Sequence, residues 1–308
     1  MNALGGQRIV DGKSARTGMV KLDFELIRVE DGRAALGESP VWDPATGDLW
    51  WVDVTGKALF CLDTDAGSIR HWKTPEYPGF VVLMGARKPA VGMETGIFLF
   101  DPATGAFDRL VPFDRDGHRF NDATVDQKGR LWTSTMALDA KPASADIVQV
   151  TGDRTLKPVV RHLTIPNGLA VDLDRGRMFY SDSHPATQSI WTMSVDARTA
   201  ATGDAGLFAT TKSLQGRPDG AALDASGNYW IAGVDGGELY VFDPEGRIFN
   251  TVPVPFPAPT KIAFQGADGR SVAVTSKQIG EDGGYVAIAR LPEASVPGAV
   301  QPYWDMGA

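Results

Sequence analysis

The chain has 308 residues, 43% hydrophobic and 22% charged, with a formal net charge of −8 and a single cysteine, Cys61. A net negative surface disfavours nucleic acid and anionic membranes, both of which need cationic faces, so a small molecule is the expected partner. One thiol excludes an intramolecular disulfide and a thiolate-cluster metal site and fits a reducing, cytoplasmic compartment; any metal must take oxygen or imidazole donors.

Residues 1–21 are rich in Gly, Arg and Lys and lack the apolar core of a secretory signal, so they read as an extension ahead of one domain, 22–308. No stretch is apolar enough to span a bilayer. Beyond the extension, segments rich in Val, Ile, Phe, Tyr and Trp alternate with Asp, Pro, Gly and Asn clusters, and no helical apolar stripe is visible. The chain therefore reads as all-β.

One turn recurs along it: Asp43-Pro-Ala-Thr-Gly-Asp-Leu-Trp50, Asp126-Gln-Lys-Gly-Arg-Leu-Trp132, Asp172-Leu-Asp-Arg-Gly-Arg-Met-Phe179, Asp224-Ala-Ser-Gly-Asn-Tyr-Trp230 and, more weakly, Gly266-Ala-Asp-Gly-Arg-Ser-Val272. Asp caps such a turn, Gly accepts its positive φ and the aromatic opens the next strand. The first interval is about double the others, and Val91–Phe100 supplies the repeat hidden inside it. A second hairpin turn, at Asp63–Gly67, Asp101–Gly105 and Asp243–Gly246, alternates with the first. Two hairpins in roughly 40 to 50 residues make a four-stranded propeller blade.

Six blades are predicted, beginning near Pro40, Val81, Asp122, Asn167, Asp219 and Thr260, with Leu22–Arg28 free to add a strand to the last and close the ring. A two-sheet sandwich would have no need of a period. Polar residues at the start of a blade point toward the axis, where all blades converge. Glu38, Asn167 and Asp219, from three separate blades, thus form a candidate set of oxygen donors for a hard cation such as Ca²⁺, Mg²⁺ or Mn²⁺, with positions left for water and substrate. Arg119, with its planar fork of donors, is the candidate for holding ring or carboxyl oxygens. Asp182, in Tyr180-Ser-Asp-Ser183, reads either as a support to the metal ligands or as a turn residue.

These segments resemble the family of regucalcin and the gluconolactonases. The resemblance is carried by Gly37-Glu-Ser-Pro-Val-Trp42, Arg119-Phe-Asn-Asp122 with Gly129-Arg130 and Thr135-Met136, Asn167-Gly168, and Pro218-Asp-Gly220 with Asp224. It implies a six-bladed propeller with one divalent metal, Ca²⁺ favoured and Zn²⁺, Mn²⁺, Mg²⁺ or Fe²⁺ as alternatives, held by Glu38, Asn167 and Asp219. It also implies that Arg119 and Asn121 bind substrate oxygens. A family position that is often Glu falls near Asp139, whose shorter acid would bind a hydroxyl.

The expected activity is hydrolysis of a sugar-acid lactone, with Asp219 as base and Asp122 as its rival. The expected state is a monomer or weak homo-oligomer. An aryl-ester or organophosphate hydrolase, and a calcium-binding propeller without catalysis, are the alternatives. Gly12-Lys-Ser14 lacks the earlier glycine of a phosphate loop. Asp63-Thr-Asp65 and Asp172-Leu-Asp174 lack the glycine and distant glutamate of an EF-hand, no histidine pair has zincin spacing, and no Gly-x-Ser-x-Gly elbow occurs.

Overall fold

The computed structural model of the protein describes residues 21–27 and 33–308. Among them are 24 strands in six four-stranded antiparallel sheets and no helix. Blades one to five comprise residues 37–73, 80–112, 118–163, 166–210 and 217–253, each taking its strands in chain order from the inside outward. The expected blade starts all lie in the six innermost strands, Gly37–Trp42, Phe80–Leu83, His118–Val125, Pro166–Asp172, Arg217–Leu223 and Pro259–Gln265. Each innermost strand packs beside those of the neighbouring blades, around one axis.

The sixth blade has an outer strand from the other end of the chain. Phe24–Ile27 pairs antiparallel with Val286–Arg290 and closes the ring as expected; Arg28 and most of the 1–21 extension lie outside the described residues. Leu22, Phe24 and Leu26 join the apolar cluster between blades five and six, so the closing strand contributes burial as well as backbone pairing. Deleting residues through Ile27 is expected to lower the melting temperature by about 10 °C and cause scattering on heating. An unchanged transition would mean that closure contributes nothing to stability.

Two copies of the recurrent turn, those at Asp126 and Asp224, share one physical cause. Asp126 accepts from the backbone N–H groups of Lys128 and Arg130 through Oδ1, and from the Trp132 indole at 2.9 Å through Oδ2. Asp224 repeats this with Ser226, Asn228 and Trp230. One carboxylate thus caps the turn and satisfies the buried indole N–H six residues on, which would otherwise be costly to bury.

Two further features shape the axis. In five blades the innermost strand bulges against its partner, between Glu38 and Val41, Phe120 and Ala123, Asn167 and Ala170, Pro218 and Ala221, and Pro259 and Ile262. A bulge inserts an extra residue and re-aims the local side chains; Asp219 lies in such a bulge, and Glu38 and Asn167 are the last paired residues before theirs. Blade two has an unbroken register and an apolar Phe80–Leu83 strand. The C-terminal segment then crosses one end of the channel: Ala299 N–H donates to Leu223 O, Val125 N–H to Gln301 Oε1 and Trp304 N–H to Leu83 O. Behind residues 299–302 lies a cavity of about 90 Å³, lined by the innermost strands of five blades.

Candidate metal and substrate site

At the other end of the channel, Glu38, Asn167 and Asp219 come from blades one, four and five, as expected. Asn167 and Asp219 are buried, and Glu38 keeps partial access to the channel. A relay of side chains fixes the amide between the blades. Arg119 Nη1 donates to Asn121 Oδ1 at 2.8 Å, and Asn121 Nδ2 donates to Asn167 Oδ1 at 2.9 Å and to Pro166 O at 3.0 Å. Asn167 Nδ2 donates to Ser183 Oγ at 2.9 Å, and the Ser183 hydroxyl closes the relay on Pro218 O. The relay sets which end of the amide is oxygen and leaves Oδ1 one lone pair for a further partner.

The two acids are differently placed. Glu38 accepts from Ser39 N–H at 3.1 Å, with Ser39 at a positive φ of 54°. For Asp219 the described residues offer no hydrogen-bond donor or ion-pair partner to the carboxylate. Burial raises Glu38 to about 7, helped by the charge on Asp122 and opposed by Lys261, Ser39 N–H and Arg119. Burial also holds Asp219 well above the ordinary carboxylate range, reinforced by Glu38 and Asp122 and opposed by the charge on Arg217. A buried and a part-buried carboxylate thus repel one another with no cation ion-paired to either, a deficit that a divalent ion would fill. Among the described residues no group of three or more His, Cys, Asp or Glu is placed for a metal; the third donor here is an amide. Two carboxylates and a fixed amide oxygen fit a hard cation.

Arg119 is 9% exposed, and burial lowers its guanidinium to about 10 against the opposing charges of Glu38, Glu94 and Asp219. Its Nη1 is used by Phe120 O and Asn121 Oδ1, while Nε and Nη2 find no acceptor among the described residues. A buried guanidinium with open donors is suited to an oxygen-rich ligand. Asp139 stands apart in the turn after Leu131–Ala137, exposed, accepting from Lys141 N–H at 3.1 Å; no hydrogen bond joins it to the relay.

Two other carboxylates are committed elsewhere. Asp182 has the turn role: it accepts from the N–H groups of Thr164, Ile165 and His184. Asp122, the rival base, receives Lys261 Nζ at 2.5 Å, Ala123 N–H and Leu169 N–H. Sequence reasoning missed Ser183, Lys261, Glu94 and Arg217, whose guanidinium donates to Ser183 O and pairs with Asp235. For Lys261 a signal was present, since it is a polar residue at a blade start like the chosen ones.

The structure defines a closed six-bladed propeller with a set of oxygen donors at one mouth of its axial channel. A family model described as "SMP-30/Gluconolactonase/LRE-like region" matches residues 36–278, and the chain belongs to that family. It is 29% identical to 6-deoxy-6-sulfogluconolactonase of Pseudomonas putida over 87% of this chain and 94% of that protein. It is 31% identical to regucalcin of Gallus gallus over 86% and 90% of the two chains. The crystal structure of the calcium-binding protein regucalcin from Agrobacterium tumefaciens superposes with a TM-score of 0.85, covering 93% of this chain and 99% of that one at 24% identity, which bears on the fold.

Proposed function

We propose that the protein is a carboxylic-ester hydrolase of the lactonase class, opening a sugar-acid lactone with a divalent cation held by Glu38, Asn167 and Asp219. The observation that carries this reading is the buried Asp219 carboxylate and the part-buried Glu38 carboxylate, neither ion-paired, beside a fixed amide oxygen and a guanidinium with open donors. Relatives named as lactonases support the reaction class, and relatives named regucalcin support a metal, Ca²⁺ first among the candidates.

When bound, the cation supplies a Lewis acid that polarises an ester carbonyl. Arg119 binds ring or hydroxyl oxygens through its free donors, and Asn121 keeps that guanidinium and the Asn167 amide in fixed register. Water adds to the carbonyl carbon, its proton passes to Asp219, the bond to the ring oxygen breaks, and the proton is delivered to that oxygen as the hydroxy acid leaves. Asp219 is preferred to Asp122 because its carboxylate is unbonded whereas Asp122 is ion-paired. Asp139, exposed in the turn after Leu131–Ala137, is the proposed contact for a substrate hydroxyl. The cytoplasm is kept as the compartment, supported by the lone, buried Cys61.

The test is a panel of aldonolactones offered to metal-stripped protein resupplied with Ca²⁺, Mg²⁺, Mn²⁺, Zn²⁺ or Fe²⁺, corrected for spontaneous ring opening. Turnover is expected to return only with metal and to fall about 10³-fold in Glu38→Gln. Metal binding with no turnover on any lactone would favour a calcium-binding propeller instead.

A further inference from the structure

Below the ligands, one side chain spans the channel. Lys261 lies in the bulge of blade six, and Asp122 in that of blade three, the blade opposite in a ring of six. The lysine is 5% exposed and the aspartate 4%. Lys261 Nζ reaches Asp122 Oδ1 at 2.5 Å and Ala123 O at 2.7 Å, and Asp122 Oδ2 accepts Leu169 N–H of blade four at 2.8 Å. The pair lies between the ligands and the cavity behind the C-terminal segment, which Lys261 also lines.

The fold makes room for this crossing. A Cβ on Gly220, the last residue of Pro218-Asp-Gly220, would lie 2.4 Å from Cβ and Cγ of Lys261 and 2.7 Å from its Cδ. Glycine is therefore required beside the ligand Asp219 for the lysine stem to pass. The charges of Asp122 and Lys261 both act on Glu38, with opposite signs.

We propose that Lys261 is a positioning residue of the axial site: its ammonium, brought across the channel to Asp122, cancels the one axial carboxylate not offered to the metal and so sets how tightly the ion is held. This rests on Glu38, Asn167 and Asp219 being the ligands. Lys261→Met leaves the Asp122 carboxylate with its two backbone N–H donors and no counter-cation, an uncompensated acid next to the ion. Asp122→Asn leaves an uncompensated ammonium there. The two variants therefore move metal affinity in opposite directions, whereas a strut that merely held the blades would weaken binding in both.

The experiment is calorimetric titration of metal-stripped wild type, Lys261→Met, Asp122→Asn and the double variant with Ca²⁺ and with Mn²⁺. Kd is expected to fall roughly tenfold in Lys261→Met, to rise roughly tenfold in Asp122→Asn, and to return to within about threefold of wild type in the double variant. Shifts of the same sign in both single variants, or no shift in either, would overturn the proposal. Wild type that binds neither ion would overturn the ligand assignment and this inference with it, an outcome visible before any variant is compared. Thermal unfolding of the metal-stripped proteins gives a second reading. Lys261→Met, which strands a buried charge, should melt below the double variant, whose neutral pair strands none; equal melting, or the reverse order, counts against the pairing.

Discussion

Asp219→Asn is expected to lower lactone turnover about 10³-fold and metal affinity at least about tenfold, while the metal-stripped variant melts at the same temperature as wild type or higher. The two halves of this result share one cause. Asp219 is buried with no donor to its carboxylate and with the charges of Glu38 and Asp122 acting on it. In the metal-free protein that charge is a cost, and an amide of the same shape removes it. Under the proposed mechanism the charge holds the ion and the same oxygens take a proton, so its removal lowers turnover steeply. Sites arranged for function are commonly destabilising when empty of their ligand. Melting curves with and without Ca²⁺, set beside initial rates, check both halves. A variant that lost activity and stability together would give Asp219 a structural role in blade five, and one with near-normal turnover would remove it as base.

The repeat was legible in the sequence because what maintains it is local. Asp126 with Trp132, and Asp224 with Trp230, are hydrogen-bonded six residues apart, so the contact appears in the sequence as a motif. Blade two had to be inferred because its first hairpin, around Gly85, lacks that aspartate, and its innermost strand has no bulge. Glu38, Asn167 and Asp219 were legible as polar residues in short turn-like segments at blade starts. Their relation to each other, and the relay that turns the Asn167 amide, was not.

What escaped notice depends on partners far away in the chain. Lys261 and Asp122 are 139 residues apart, and only ring closure places them face to face. Asp182 and Ser183 are neighbours whose side chains serve different purposes. The carboxylate caps the entry to blade four while the hydroxyl holds the ligand amide. Sequence chemistry favoured the acid, whereas it is the serine that hydrogen-bonds the Asn167 amide.

Gly168→Ala is the other change expected to have a large effect, and the hydroxyl of Tyr229 should decide its size. Gly168 follows the ligand Asn167 with φ at 64°, a region in which alanine costs about 1–2 kcal/mol. A Cβ there would lie 2.3 Å from the Tyr229 hydroxyl oxygen and 2.9 Å from Ser181 Oγ. The hydroxyl cannot easily retreat, because it donates to Gly168 O at 2.6 Å from a fully buried ring. Conformational strain and overlap together should destabilise the protein by about 3–5 kcal/mol and displace Asn167, weakening metal binding as well. Tyr229→Phe alone should cost about 1 kcal/mol, the worth of one hydrogen bond. In that background the nearest obstacle is gone, and Gly168→Ala should cost about 2–3 kcal/mol, the backbone term plus the remaining overlap with Ser181 Oγ. Denaturant unfolding of the four proteins closes the cycle. If the cost of Gly168→Ala is the same with and without the hydroxyl, the close approach to Tyr229 is not what requires glycine after the ligand, and φ alone accounts for it.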